Sequence, residues 1–233
     1  MKFFTRNDQI LKLAGGRNVL HVGCVGFADL PTEQRVALAK RSLHYALTKE
    51  ANTIGVDYSR AAIEYFREHG LFDNVYFGDA QDLGNSDVPT RTFDVVVAGD
   101  IIEHLSCPGL FLDGLGRFMS SDSLLVVTTP NAFGLANFVR YFRGRFREGL
   151  EHVASYNNQN LTQLLERHGF SVVSIDTCHQ EHARTAGLAF HIGKRVLSAM
   201  PRFGGTLFVT ARLKPSIKVS PKSCLRLSRD NRI

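Results

Sequence analysis

Within five residues near the middle of the chain lie three side chains that can do acid–base chemistry: Asp100, Glu103 and His104, in the stretch Asp-Ile-Ile-Glu-His-Leu. A histidine titrates close to neutral pH, so His104 is the member best suited by type to take a proton from a hydroxyl group. The competing reading is an imidazole that only packs or caps beneath a loop. Asp100, Glu103 and His104 could also hold a divalent cation, since carboxylate oxygens suit magnesium. Glu103 and His104 are adjacent and would need a local turn to converge, so no metal is assigned. A second cluster, Cys178, His179 and His182, has no matching second half and reads as a surface loop.

Upstream, Val19 to Val22 is an apolar run leading into Gly23, with Gly26 three positions on and Pro31 opening a helix. Strand, glycine turn and helix together make a nucleotide-site layout. A dinucleotide fingerprint would place glycines at 23, 25 and 28, where the chain has Gly23, Val25 and Ala28. The Gly-Lys-Ser/Thr triplet of a phosphate-binding loop is absent. Two further turns bear acids: Gly-Val-Asp-Tyr-Ser ends at a strand with Asp57, and Gly-Asp-Ala offers Asp79 and the backbone of Ala80. A carboxylate in the position of Asp57 can accept hydrogen bonds from ribose hydroxyls.

The elements that must carry these turns alternate. Apolar runs at 19–22, in Thr53–Asp57, Asn74–Asp79, Thr92–Asp100, Ser123–Pro130, Phe170–Asp176 and Gly205–Leu213 read as seven strands. Between them lie helical patterns, among them one helix over 31–51 with Val36, Ala39, Leu43 and Ala46 on one face. Ser59 caps the next helix, and Pro108 opens another. Continuous apolar strands alternating with helices predict an α/β fold, a mostly parallel sheet covered on both faces. Ligands in such sheets bind past the carboxyl ends of the strands, where the candidate residues cluster.

The chain has 233 residues, 44% of them hydrophobic, enough for one substantial core. No apolar run approaches the length of a membrane span, and no leader with a long apolar segment is evident. Four separated cysteines, Cys24, Cys107, Cys178 and Cys224, read as reduced thiols, and a cytoplasmic location is expected. The formal charge is +6. Part of it sits in residues 214–233, a basic, serine-rich segment expected to be disordered.

In order and spacing, the stretches at 19–26, 55–59, 78–83, 93–105, 128–131 and 151–173 resemble the class I S-adenosylmethionine-dependent methyltransferases. They are most similar to the small-molecule branch that includes ubiquinone-biosynthesis O-methyltransferases and enzymes of surface-polysaccharide clusters. The resemblance covers residues 15–213. It implies a Rossmann-like, seven-stranded, mostly parallel sheet with the last strand antiparallel, and S-adenosylmethionine as cofactor. It further implies that Gly23, Cys24 and Gly26 line the methionine end of the cofactor. Asp57 would hold the ribose, Tyr58 would flank the adenine, and Asp79 and Ala80 would contact it. Gly99 and Asp100 would lie near the cofactor, with His104 and Glu103 as catalytic candidates. The family usually has an acid where His21 stands and glycines where Val25 and Phe27 stand. His21 either takes over a cofactor hydrogen bond or is a buried histidine at a strand end.

One domain, 1–213, is therefore expected, with lid insertions near 132–156 and 178–204. The first insertion interleaves Phe138, Tyr141, Phe142 and Phe146 with Arg140, Arg143, Arg145 and Arg147. Arginines pair with phosphate or carboxylate and aromatics stack on rings, so an anionic or phosphorylated acceptor fits, as does contact with a membrane surface. A solvated amphipathic lid is the plain alternative. His44 and His152 also fall near the expected pocket. The leading function is O-methylation of a small molecule: a sugar, nucleotide-sugar or phenol. Its rivals are a non-catalytic cofactor-binding protein and a nucleic-acid methyltransferase. The Asn/Asp-Pro-Pro-Tyr element of amino-methylating enzymes is missing, so nucleic acid is not the expected partner. Oligomeric state is left open.

Overall fold

Period-two alternation along the central strands divides their side chains between two cores. Leu20 and Val22, Val96 and Ala98, and Leu125 and Val127 face one way, against Phe111, Leu115, Leu161 and Leu165. Val19, Val95, Val97, Leu124 and Val126 face the other way, against Ile10, Ala14, Leu43 and Leu47. A strand buried on both faces is mostly apolar, and these are, the polar exceptions being His21 in β2 and Thr128 and Thr129 towards the end of β6.

The computed structural model describes residues 1–25, 32–144, 149, 151–179 and 195–215. Its strands are β1 (Phe3–Thr5), β2 (Asn18–Val22), β3 (Asn52–Asp57), β4 (Val75–Phe77), β5 (Val95–Gly99), β6 (Leu124–Pro130), β7 (Phe170–His179) and β8 (Thr206–Leu213). Its α-helices are α1 (Arg6–Ala14), α2 (Thr32–Ala39), α3 (Leu43–Glu50), α4 (Arg60–Glu68), α5 (Pro108–Leu115), α6 (Leu135–Phe142) and α7 (Asn158–Arg167). The sheet order is β1-β7-β8-β6-β5-β2-β3-β4. β8 runs antiparallel to both β6 and β7, and all other pairs are parallel. The mostly parallel α/β sheet with an antiparallel last strand is as the sequence predicts.

Three details differ. An eighth strand, β1, adds to the edge through the pairing Phe3↔Thr177; three residues are too few to show a period. The helix expected over 31–51 is two helices, because Ser42 accepts a hydrogen bond from the Tyr45 amide (3.1 Å) and caps α3 afresh. β7 continues to His179, so Cys178 and His179 belong to a strand and not to a surface loop. Cys178 is fully buried against the α1 side, and burial pushes its thiol up to about 12. His182, like most of the 214–233 segment, lies outside the described residues.

Candidate active site

After β2 the chain builds outward through β3 and β4; β5 sits on the other side of β2 and starts the second half. The crevice at such a reversal opens past the carboxyl ends of the strands. There a cleft of about 460 Å³ is lined by Gly23 and Val25 after β2, Asp57 and Tyr58 after β3, and Gly78, Asp79, Ala80 and Gln81 after β4. Asp100, Ile101, His104 and Leu105 follow β5, and Glu151 closes the wall. Gly23 adopts φ +71°, and a Cβ there would stand 2.9 Å from the Ile101 side chain, so glycine is required on both counts.

Asp57 joins two of these turns. Its Oδ2 accepts from the Val25 amide (2.8 Å) and its Oδ1 from the Ser59 amide (3.1 Å). Burial raises its pKa, and those backbone donors oppose the rise. A carboxylate has about four lone-pair sites, so Asp57 retains acceptor capacity facing the cleft. Asp79 caps the 3₁₀ turn Ala80–Asn85 by accepting from the Gln81 amide (2.8 Å). Tyr58 stands exposed on the rim.

Asp100 has φ 52°, a left-handed conformation costly for a non-glycine residue. Its carboxylate is anchored from below: Arg6 Nη1 lies 3.1 Å from Oδ2, and Thr128 Oγ1 donates to Oδ1 (3.1 Å). Gly99 is not part of the cleft lining. A Cβ on Gly99 would collide with the Arg6 guanidinium, so the glycine admits the arginine that holds Asp100. Arg6 carries no local sequence signal; it reaches the site only because α1 packs beneath β5.

The next turn separates the three acid–base residues. His104 lines the cleft. Its Nδ1 lies 3.2 Å from the Glu151 carbonyl, which can only accept, so Nδ1 carries a proton and neutral His104 keeps Nε2 as its basic atom. Glu103, placed by sequence beside it, is 1% exposed and faces β6, where Thr129 Oγ1 donates to Oε2 (2.9 Å). Its Oε1 is buried and has no hydrogen-bond partner among the described residues. Burial is the main cause that pushes its carboxyl up to about 7, with Asp100 adding to the rise. The amides of Val153 and Ala154 both donate to the Glu103 carbonyl, which brings His152 edge-to-face against His104 with ring centroids 4.8 Å apart. Ligand atoms of Glu103, His104 and His152 lie within 4.8 Å of one another. Among the described residues, the trio able to hold a cation thus contains His152 in place of Asp100, which Arg6 engages.

Two residues expected at the cofactor turn away. His21 shares a face with Val19, so β2 aims it beneath the sheet, where its Nδ1 meets Nδ1 of His44 at 3.3 Å. Both rings are buried; His44 therefore sits under β2 and not in the cleft. The Cys24 thiol points back toward the Val56 carbonyl (3.8 Å), and burial raises its pKa well above the usual thiol value. Gly26 lies outside the described residues.

A methyltransferase domain model matches residues 9–175, most of the chain. The chain belongs to that family. A probable S-adenosylmethionine-dependent methyltransferase of Mycolicibacterium smegmatis is 30% identical over 182 residues, 75% of this chain and 58% of that protein. A ubiquinone biosynthesis O-methyltransferase of Bradyrhizobium diazoefficiens is 29% identical over 128 residues, 55% of this chain and 46% of that protein. The chain thus spans about half the length of the curated relatives it matches. Among solved structures, a SAM-dependent methyltransferase from Archaeoglobus fulgidus superposes with TM-score 0.53 at 19% identity, covering 89% of this chain and 94% of that one. The N-methyltransferase NodS of Bradyrhizobium japonicum, solved with S-adenosyl-L-homocysteine, gives 0.52 at 15%, covering 89% and 85%. These likenesses establish the shared fold of this methyltransferase-family chain.

Proposed function

We propose that the chain transfers a methyl group from S-adenosylmethionine to an oxygen of a small molecule, a sugar, nucleotide-sugar or phenol. One juxtaposition carries the reading. Residues suited to ribose and adenine, Asp57, Asp79 and Ala80, share one cleft with a basic imidazole, His104. The cleft's volume is in the range of small-molecule sites, and Asp57 keeps lone pairs for hydroxyl donors, so the residues fit the cofactor. When bound, S-adenosylmethionine supplies a methyl group already activated on a sulfonium. The chain's own work is then to position the acceptor, exclude water and take the hydroxyl proton. His104 accepts that proton at Nε2. The Glu151 carboxylate lies 3.9 Å from Nδ1, on the far side of the ring from the accepting atom.

Titration calorimetry should show binding of S-adenosylmethionine and its demethylated product but not of NAD. Mass spectrometry of a panel of sugars, phenols and nucleotide-sugars should then find one methylated on oxygen. Cofactor binding with no methylated product from any class would leave only a binding protein. A second reading has its own observation, the Glu103–His104–His152 cluster. If it holds a divalent cation, a chelator will abolish turnover and magnesium will restore it.

A further inference from the structure

The same edge of the sheet carries a second, larger concavity of about 1020 Å³ beyond Asn131. One wall is Phe133 with Leu135, Phe138 and Tyr141; the other is Val196, Leu197 and Met200. α6 contributes no buried residue, so its apolar side chains do not serve the core. Leu135, Phe138, Val139 and Phe142 nevertheless follow the i, i+3, i+4, i+7 pattern of a single helical face. Phe138 is 63% exposed and Phe142 84%. Contiguous exposed apolar surface of this kind marks a place where something docks.

The charges around it state the chemistry of the partner. Residues 131–144 and 195–206 contain Arg140, Arg143, Arg195 and Arg202 but neither Asp nor Glu, in a chain that has 22 acidic residues. Arg140 and Arg143 are three apart and lie off the apolar stripe. Aromatic and aliphatic side chains on one face, arginines on the other and no carboxylate is the composition of a helix lying in a lipid interface. Rings enter the headgroup boundary while arginines reach the phosphates. We propose that α6, with Phe133 and the Val196–Met200 flank, docks the protein on anionic bilayers. This surface is separate from the cleft, and the proposal stands whether or not the acceptor assignment does.

The test is flotation of the full chain with vesicles of phosphatidylcholine alone and of an equimolar mixture with phosphatidylglycerol. The chain should float with the mixed vesicles, less so as salt rises, and not with phosphatidylcholine alone. Arg140→Gln with Arg143→Gln should weaken the association roughly twentyfold, and Phe138→Ser with Phe142→Ser at least about tenfold. The substituted side chains of α6 are exposed and serve no core, so both double variants should fold, and both should bind S-adenosylmethionine as the unaltered chain does. Failure to float with anionic vesicles overturns the proposal. So does flotation that both double variants retain, which would place the contact elsewhere, for example in the basic 214–233 segment. A dimer on sedimentation velocity that the phenylalanine variants dissolve, without vesicle binding, would show that a second copy covers this face.

Discussion

Two histidine pairs sit within one molecule in opposite settings. His21 and His44 pack with ring centroids 5.4 Å apart, 4% and 0% exposed, each Nδ1 the other's hydrogen-bond partner. One ring donates and the other accepts, so both are held neutral, and burial lowers both pKa values, His44 to about 4. His104 and His152 are as close, but His104 follows the end of β5, opens on the cleft and is tied to a backbone carbonyl. The two settings differ by the place on a strand. A residue inside the hydrogen-bonded ladder, such as His21, is aimed by the pleat at a helix layer. A residue past the last ladder bond is aimed by a turn at whatever occupies the crevice.

The strongest way to break this contrast is at His104. As the base, His104→Ala should lower turnover about 10²–10⁴-fold while cofactor affinity changes little. The pH–rate profile should lose the limb on which imidazole must be neutral. The side chain is one-third exposed, so the melting temperature should barely move. Near-normal turnover in this variant would leave positioning alone as the catalytic device, with an acceptor that loses its proton readily.

His44→Ala should do the reverse. It opens a space beside Phe72 and strands the His21 nitrogen, which should cost about 2–4 kcal/mol of stability. Turnover per folded molecule should hold. The pair also predicts an acid limb. The unfolded chain takes up protons at these histidines from about pH 6.5 downward, while the folded chain resists until about 4. Stability should therefore fall as pH drops through that window, and should fall less steeply in the variant. Unaltered stability in His44→Ala, by thermal denaturation, would mean the pair is not the buried structural element described.

Much of this was readable in the sequence, and the unread part has physical reasons. The strands show as apolar runs because both faces are covered, and the turns after β2, β3, β4 and β5 show because glycine and aspartate are what such turns need. Asp57, Asp79, Ala80 and His104 were therefore placed where the cleft now is. The pleat was also available: Leu20 and Val22 share a core face, which leaves His21 on the opposite one. Arg6 is a different matter: it arrives by packing of α1 under β5, and long-range placement leaves no local pattern. His152 falls near the pocket expected from the sequence, but its contact with His104 rests on backbone bonds from residues 153 and 154 to Glu103, which no local pattern shows. Glu103 was expected at the cleft mouth; a 3₁₀ turn over Ile102–His104 instead turns it inward.

Asp57 tests the cofactor side of the contrast with a smaller effect. Asp57→Ala should weaken S-adenosylmethionine binding by ~1–3 kcal/mol, since it removes charge-assisted bonds to hydroxyl groups. It also releases the Val25 amide, so a modest drop in melting temperature should accompany it. Calorimetry returning unaltered affinity would remove Asp57 from the site and make it a purely structural tie.

The smallest effect sharpens the contrast from the acid side. Glu103 is a carboxyl in a setting as closed as that of His21 and His44, so burial works on it with the opposite sign. Its pKa moves up, to about 7 from an ordinary 4.5, whereas theirs move down. Between those values the folded chain holds a proton that the unfolded chain has released. Stability must then fall as pH rises from about 4.5 to 7, while the histidine pair makes it rise over much of the same range. Glu103→Gln keeps an oxygen to accept from Thr129 and cannot ionise. Its melting temperature should match the parent near pH 5 and exceed it at pH 8, by an amount on the order of 1 kcal/mol or roughly 2–4 °C. A divalent cation held by Glu103, His104 and His152 would reverse that result: the carboxylate would be ionised, and the variant would be the less stable protein at pH 8 when magnesium is present. Parallel melting curves at pH 5 and pH 8, with and without magnesium, separate the two.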